Sequence, residues 1–241
     1  MFDTFLFDLD GTLLPLDMDE FIGHYLKEVG AYFQDMIDPD LLLSHVWAGT
    51  QAMLNNQGDK TNEKAFMDVF GNCIKGDLAL FQKRFDSFYD DGFLKIRDCT
   101  ETSPLIKKAV RVLKEKGYTL AVATNPMFPK KAVLHRIEWA DLNPDDFDYI
   151  TSYEQNHYCK PRLEFYREVL EGLGKLPHQC MMVGNDVEED MVASRLGIKT
   201  YLITDHLINS RNNPIICDYQ GTYEDFYSFV CKLPEAGRKP D

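Results

Sequence analysis

Nothing in these 241 residues suggests a disulfide framework or a zinc site. The six cysteines, Cys73, Cys99, Cys159, Cys180, Cys217 and Cys231, are scattered, with no CxxC pair and no Cys/His metal spacing. Such usage points to reduced thiols in a cytoplasmic protein. No apolar run approaches the length of a bilayer span, and no basic segment leads into a signal-like stretch at the amino terminus. Positive charge is scarce too: 26 Lys and Arg face 39 Asp and Glu, a formal charge of −13. That balance argues against nucleic acid or an anionic membrane as partner. It also means that an anionic substrate needs a cation brought to it. A GxSxG elbow, a P-loop and a dinucleotide GxGxxG are all absent, as are internal repeats and low-complexity segments.

What is present is apolar and regularly punctuated. With 44% hydrophobic and 12% aromatic residues the chain can bury a sizeable core, and its length suits one to two domains. The stretch "FLFDLDGTLL" (5–14) begins as a strand covered on both faces, Phe5-Leu6-Phe7, and ends by setting Asp8 and Asp10 one residue apart. Two such carboxylates repel one another and lose solvation unless a cation or a shared proton relieves them. Four more strand-like runs follow: "YTLAVAT" to Thr124, "FDYIT" to Thr151, "CMMVG" to Gly184 and "TYLIT" to Thr204. Helical patterns separate them. In "SPLIKKAVRVLKEKG", Ser103 is the N-cap, Pro104 the first helical residue and Gly117 the stop. "PRLEFYREVLEGLG" puts Leu163, Tyr166, Val169, Leu170 and Leu173 on one face. Alternating strands and helices predict an α/β fold, a Rossmann-like parallel sheet with helices on both faces and ligand chemistry at the strands' carboxyl ends.

Residues 15–97 break the alternation and read as successive helices, among them "DEFIGHYLKEVGAYF" with Phe21, Ile22, Tyr25, Leu26 and Val29 on one stripe. "PDLLLSHVWAGTQAML" and "DLALFQKRFDSFYDD" follow suit. The predicted organisation is a core of 1–14 and 98–241 with a small all-helical domain at 15–97, joined through linkers near Leu14–Asp17 and Lys95–Ser103. The "EAGRKPD" tail is expected to fray.

A carboxylate at a strand end can act as a nucleophile, and a second beside it can deliver or remove a proton. Such a pair suits Mg²⁺, a hard cation that takes carboxylates together with phosphate oxygens. The reaction suggested is phosphoryl transfer, in which positioning and charge neutralisation carry most of the rate. A hydroxyl donor, a cation and further acid would complete the site, and Thr124-Asn125, Lys160 and "GNDVEED" (184–190) stand at strand ends to supply them. Each alone has a plainer reading: a turn before Pro126, a solvated lysine, and a helix start rich in favourable acids. Their coincidence at successive strand ends overturns these.

"DLDGT" (8–12), "TN" (124–125), "KP" (160–161) and "GNDVEED" resemble, in order and spacing, the four motifs of the haloacid dehalogenase-like hydrolases. The resemblance covers about residues 1–14 and 98–210, and the helical insert resembles the cap that many members carry. It implies that Asp8 is the nucleophile forming an aspartyl-phosphate, and that Asp10 protonates the leaving oxygen and then activates water. Thr124, Asn125 and Lys160 would hold the phosphoryl oxygens. Asp8, the main-chain carbonyl of Asp10 and an acid of 184–190 would bind Mg²⁺. Gly11 permits the turn that aims Asp10 inward.

The fourth motif departs from the common pattern, because Asn185 stands where an acid usually follows the glycine. A neutral amide cannot offset the ion's charge, so the metal is assigned to Asp186, with Asn185 and Asp190 beside it.

The expected function is Mg²⁺-dependent hydrolysis of a small soluble phosphate monoester. Asp10 argues against a dehalogenase, whose halide leaving group needs no proton. A phosphomutase, or a non-catalytic scaffold binding partners through the insert, are the alternatives. The insert is expected to close as a lid. His157 reads as a loop residue, Cys159 as packing, and Asn55, Asn56, Gln57 and Asn62 as a polar stretch between insert helices.

Overall fold

A computed structural model describes residues 2–237. Six parallel strands form one sheet in the order β3-β2-β1-β4-β5-β6. They are β1 (Thr4–Phe7), β2 (Thr119–Val122), β3 (Tyr149–Ile150), β4 (Cys180–Gly184), β5 (Lys199–Ile203) and β6 (Tyr219–Gly221). The helices are α1 (Met18–Phe33), α2 (Pro39–Leu54), α3 (Asn62–Cys73), α4 (Leu78–Ser87), α5 (Pro104–Glu115), α6 (Lys130–Trp139), α7 (Leu163–Leu173) and α8 (Tyr223–Lys232). Phe5 sits between Leu120 and Met181 in the ladder. Alternation then splits β1. Phe5 and Phe7 meet Phe226 of α8 on one face, while Leu6 packs with Ala121, Met182 and Phe165 of α7 on the other. Both faces are covered, so the apolar run at β1 needs no polar partner residues.

The chain builds outward from β1 through β2 to β3, then returns to place β4 on β1's other side. The order reverses between β1 and β4, and loops leaving these neighbours part in opposite directions, opening a crevice at their carboxyl ends. Asp8, Asp10, Asn185 and Asp186 stand there as a consequence of topology.

The predicted punctuation is present. The Ser103 hydroxyl accepts from the Ile106 N–H at 3.3 Å, and Gly117 adopts φ 80° past the end of α5. α7 buries Tyr166, Val169 and Leu170 as expected and Phe165 as well. β6 was not anticipated: it is a three-residue edge strand, largely exposed, with no apolar run to betray it. The tail begins tied down, with the Ala236 N–H bonded to the Lys116 carbonyl at 2.8 Å. The Lys116 ammonium in turn caps the last carbonyls of α8. Its final residues, 238–241, lie outside the described region.

α1–α4 pack into a helical layer, whose α1 meets the carboxyl ends of the strands around one cavity. A π-helical segment (Phe88–Gly92) and a 3₁₀ segment (Phe93–Cys99) lead back from it. Where the two linkers were expected, they pair: Leu16 bridges Thr100 antiparallel, and the Glu101 N–H donates to Pro15 at 2.9 Å. The layer is held by aromatic packing, with Phe33 on Phe85 at 4.6 Å and Phe93 stacked on Trp139 of α6 at 5.2 Å.

Candidate active site

The Leu9–Leu14 turn that follows β1 is closed by Leu14 N–H to Leu9 at 2.8 Å and Gly11 N–H to Leu14 at 2.8 Å. Gly11 sits at φ 79°, and a Cβ there would stand 2.3 Å from the Asn185 side-chain nitrogen. Both the backbone conformation and the close neighbour require glycine. Asn185 itself is buried. Its Oδ1 accepts from the Thr12 hydroxyl at 3.0 Å, and its Nδ2 donates to the His206 carbonyl at 2.7 Å. It therefore ties the β1 turn to the end of β4 and to the loop after β5.

Lys160 reaches the crevice from the loop before α7, its bond to Pro161 being cis. Its ammonium, 2% exposed, donates to Asp8 Oδ1 at 2.9 Å and to Asp190 Oδ1 at 2.6 Å. Burial opposes that charge, but the carboxylates of Asp190 and Asp8 outweigh it and hold the lysine protonated well above its ordinary range. Asp190 is pushed upward by burial against the pull of Lys160. Its other oxygen accepts from the Asp186 N–H at 3.0 Å.

The Asn125 amide is used internally: Nδ2 donates to both Glu189 oxygens, and Oδ1 accepts from the Lys160 N–H at 3.2 Å. Burial pushes the Glu189 carboxyl up to about 8. Thr124 is buried and lines the same cavity as Asp8, and the Thr151 hydroxyl holds its carbonyl at 2.7 Å. Asp186 receives the Glu188 and Glu189 N–H groups on Oδ1, at 2.7 and 2.8 Å.

One partner was missed from the sequence. Arg136 of α6 is fully buried and ion-paired through Nη1 with Asp10 Oδ2. Its guanidinium lies 4.6 Å from the Phe128 ring centroid and 5.9 Å from that of Phe21. Burial raises the Asp10 carboxyl above its ordinary range, with Arg136 pulling the other way and Asp8 adding to the rise. Asp10 Oδ1 and Arg136 Nη2 are buried without a hydrogen-bond partner among the described residues. The sequence carried a signal for the burial of Arg136, though none for its partner. In "KKAVLHRIEW" the apolar face runs through Ala132, Val133 and Ile137, and Arg136 is a charge set on that face.

Asp8, Asp10, Thr124, Asn125, Asn185, Asp186, Glu189 and Asp190 line one cavity of about 820 Å³, while Lys160 and Arg136 are bonded to its acids from outside the lining. Asp8, Asp10, Asp17, Asp19, Asp186, Glu189, Asp190 and Asp205 surround it, and His206 is the sole basic side chain in its lining. Oxygen donors in excess of positive charge form the set that a hard divalent cation accepts, so the residues fit Mg²⁺. Glu20, His24 and Cys99 also bring ligand atoms within 4.8 Å of one another, but none of them lines this cavity.

Three other expectations meet their surroundings here. His157 bonds Glu168 of α7 at 2.6 Å and serves its loop. Cys159 is buried, its thiol pushed up to about 12 by that burial. Of the polar stretch, Asn56 and Asn62 tie the helical layer to the loops after β2 and β3, while Asn55 and Gln57 bond within their own segment. Asn62 donates to Pro126 at 3.1 Å and to Cys159 at 3.4 Å, and its N–H bonds Asn156 at 2.9 Å. Asn56 bonds Asn62 at 3.0 Å.

The model of the haloacid dehalogenase-like hydrolases matches residues 2–197. Phosphoglycolate phosphatase of Aquifex aeolicus is 25% identical over 200 residues, 82% of this chain and 82% of that protein. Pyrophosphatase PpaX of Bacillus cereus is 22% identical over 202 residues, 84% and 83% of the two chains. Among solved structures, the 2-haloacid dehalogenase of Pseudomonas syringae pv. Tomato superposes with a TM-score of 0.64 at 17% identity, over 96% of this chain and 98% of that one, a likeness of fold.

Proposed function

The chain belongs to the haloacid dehalogenase-like hydrolases, and from that premise we propose that it is a Mg²⁺-dependent phosphatase acting on a small soluble phosphate monoester. Its relatives named as phosphatases support a hydrolase of phosphoric esters. The observation that carries the finer reading is Lys160 donating to Asp8 with Asp10 two residues on, both acids lining one cavity. Asp8, the Asp10 carbonyl and Asp186 would hold the cation, which when bound neutralises charge on the phosphoryl oxygens. The two internal hydrogen bonds of Asn185 favour Asp186 for that place, since they commit the amide to holding the turn.

In the reading proposed, an Asp8 oxygen attacks phosphorus while the bond to the ester oxygen breaks. Asp10 gives its proton to that oxygen, so a neutral alcohol leaves. Water then attacks the phosphorus of the aspartyl-phosphate, Asp10 takes its proton, and breakage of the Asp8–phosphorus bond releases phosphate. Thr124 and Lys160 steady the phosphoryl oxygens, Lys160 also offsetting the repulsion between Asp8 and the substrate. Asn125 fixes the Lys160 backbone and meets a phosphoryl oxygen only by parting from Glu189. Asp190 keeps Lys160 in place. Residues 15–97 form the lid over a core of 1–14 and 98–241, flexing at the paired linkers and excluding water when closed.

Turnover of p-nitrophenyl phosphate should cease with chelator and return with Mg²⁺, and quenching during turnover should trap phosphate on Asp8. Full activity in metal-free buffer would overturn the metal assignment. Phosphate retained on a second hydroxyl of the substrate, instead of released, would make the enzyme a mutase.

A further inference from the structure

Beside the acid-lined cavity lies a second one, of about 350 Å³, between the helical layer and the loop that follows β2. Its composition is the opposite. Leu43, Val46 and Phe66 line it from the helices, Met127 and Phe128 from the loop, and no residue of its lining carries a charge. Much of its polar complement is already satisfied: the Tyr25 and Tyr89 hydroxyls bond each other at 2.9 Å, and Thr50 donates to Val46 at 3.0 Å. Trp47, 63% exposed, stands in its lining, so the space is a pocket with an opening to solvent and not an interior void. It lies at the low end of small-molecule sites, room for part of a ligand.

Ile22, Met127 and Phe128 line both cavities, so the apolar space abuts the place where the phosphoryl group would sit. We propose that the substrate is the phosphate monoester of an uncharged, apolar alcohol or phenol, whose hydrocarbon part fills this second cavity. This deepens the phosphatase reading and rests on it.

Two physical arguments favour that class over esters with a second anionic group. A carboxylate or second phosphate on the leaving side would enter a space without a cation and lose its hydration uncompensated. The nearby cations are spent: Lys160 on Asp8 and Asp190, and Arg136 on Asp10. Around the acid cavity the surplus of carboxylates repels a second anion further. Hydrocarbon, by contrast, gains about three- to fourfold in binding for each methylene taken from water.

The test is kcat/KM of the whole protein with Mg²⁺ for ethyl, butyl and hexyl phosphate, set against phosphoglycolate and pyrophosphate. Along the alkyl series kcat/KM should climb about three- to fourfold per methylene until the cavity is full, and hexyl phosphate should exceed both charged compounds. Leu43 is only half-buried, so Leu43→Lys brings a cation to the cavity wall with little threat to folding. That variant should lower the ratio of hexyl phosphate to phosphoglycolate by about tenfold or more. A flat alkyl series, or preference for the charged compounds by the unaltered protein, overturns the apolar class and leaves the phosphatase reading standing. No turnover of any of the five compounds overturns both.

Discussion

The crevice and the helical layer above it are held together by different physics. At the strand ends Asp8, Lys160 and Asp190 form one buried chain of charge, and Asp10 and Arg136 another, each group bonded to its partner. Inside the layer, Phe33, Phe66, Phe70, Phe81 and Phe85 stack on one another, and its buried interior holds no ionisable side chain beyond tyrosine. Buried charges hold their partners in place, because an unpaired one is so costly. Aromatic contacts are broad and individually weak, so they shape a space without fixing a direction. The difference suits the roles proposed, a fixed site for phosphoryl transfer beneath a layer that would supply shape and closure.

The largest effect should come from Asp8→Asn. It removes the attacking oxygen and a metal ligand together, so Mg²⁺-dependent turnover should vanish while the fold, followed by circular dichroism, persists. Residual aspartyl-phosphate in that variant would break the assignment of Asp8. Asp10→Asn should slow ester cleavage by about a hundredfold or more, with the phosphorylation step less affected for good leaving groups. Equal slowing for good and poor leaving groups would show that Asp10 is not the acid.

Arg136→Met sharpens the comparison from the stability side. Removing one partner of a buried ion pair costs about 3–5 kcal/mol, measurable by urea unfolding. The double variant Arg136→Met/Asp10→Asn should regain much of that loss. A double variant no more stable than Arg136→Met alone would show that the pair does not account for the loss.

Asp186→Ala should raise the Mg²⁺ concentration needed for half-maximal rate far more than Asn185→Ala, which should chiefly lower stability by loosening the Gly11 turn. The reverse order in a metal titration would give the cation to Asn185.

Smaller still is the effect at the seam between the two regions. Asn62→Ala loses side-chain bonds from α3 to Pro126 and Cys159, each worth about 1 kcal/mol. It should speed hydrogen exchange in 56–63 and raise KM with kcat nearly kept. Unchanged exchange would mean that the seam is held elsewhere. Least of all, Cys159 should alkylate roughly a hundredfold or more slower than exposed Cys231 at neutral pH, since burial keeps its thiol protonated.

Five of the six strands, the cap and glycine stop of α5, the apolar face of α7 and the helical run after β1 were legible in the chain, because each rests on local signals: apolar runs, a cap and a glycine stop. β6 escaped, having neither an apolar run nor alternation, since an edge strand with little burial needs neither. The candidate residues Asp8, Thr124 and Asp186 were legible because parallel topology brings strand ends together, whereas Lys160, expected at a strand end, comes from the loop before α7 and was found through its place in the order of motifs. Arg136 was not, because a lone arginine in a helix gives no address for its partner. Asn62 looked like a loop residue, yet its bonds join elements far apart in the chain.

What the residues determined unaided was the chemistry available: two acids after a buried strand, a hydroxyl, a lysine and an acid-rich turn, each at the end of an element whose period is written locally. Only the tertiary structure decided who answers whom. Arg136 faces Asp10, Asp190 shares Lys160 with Asp8, Asn185 fills the space that Gly11 leaves, and an uncharged cavity abuts a charged one. Pairings of this kind depend on the few ångströms between side chains of distant elements, a distance set by how helices dock on the sheet and invisible to any local pattern.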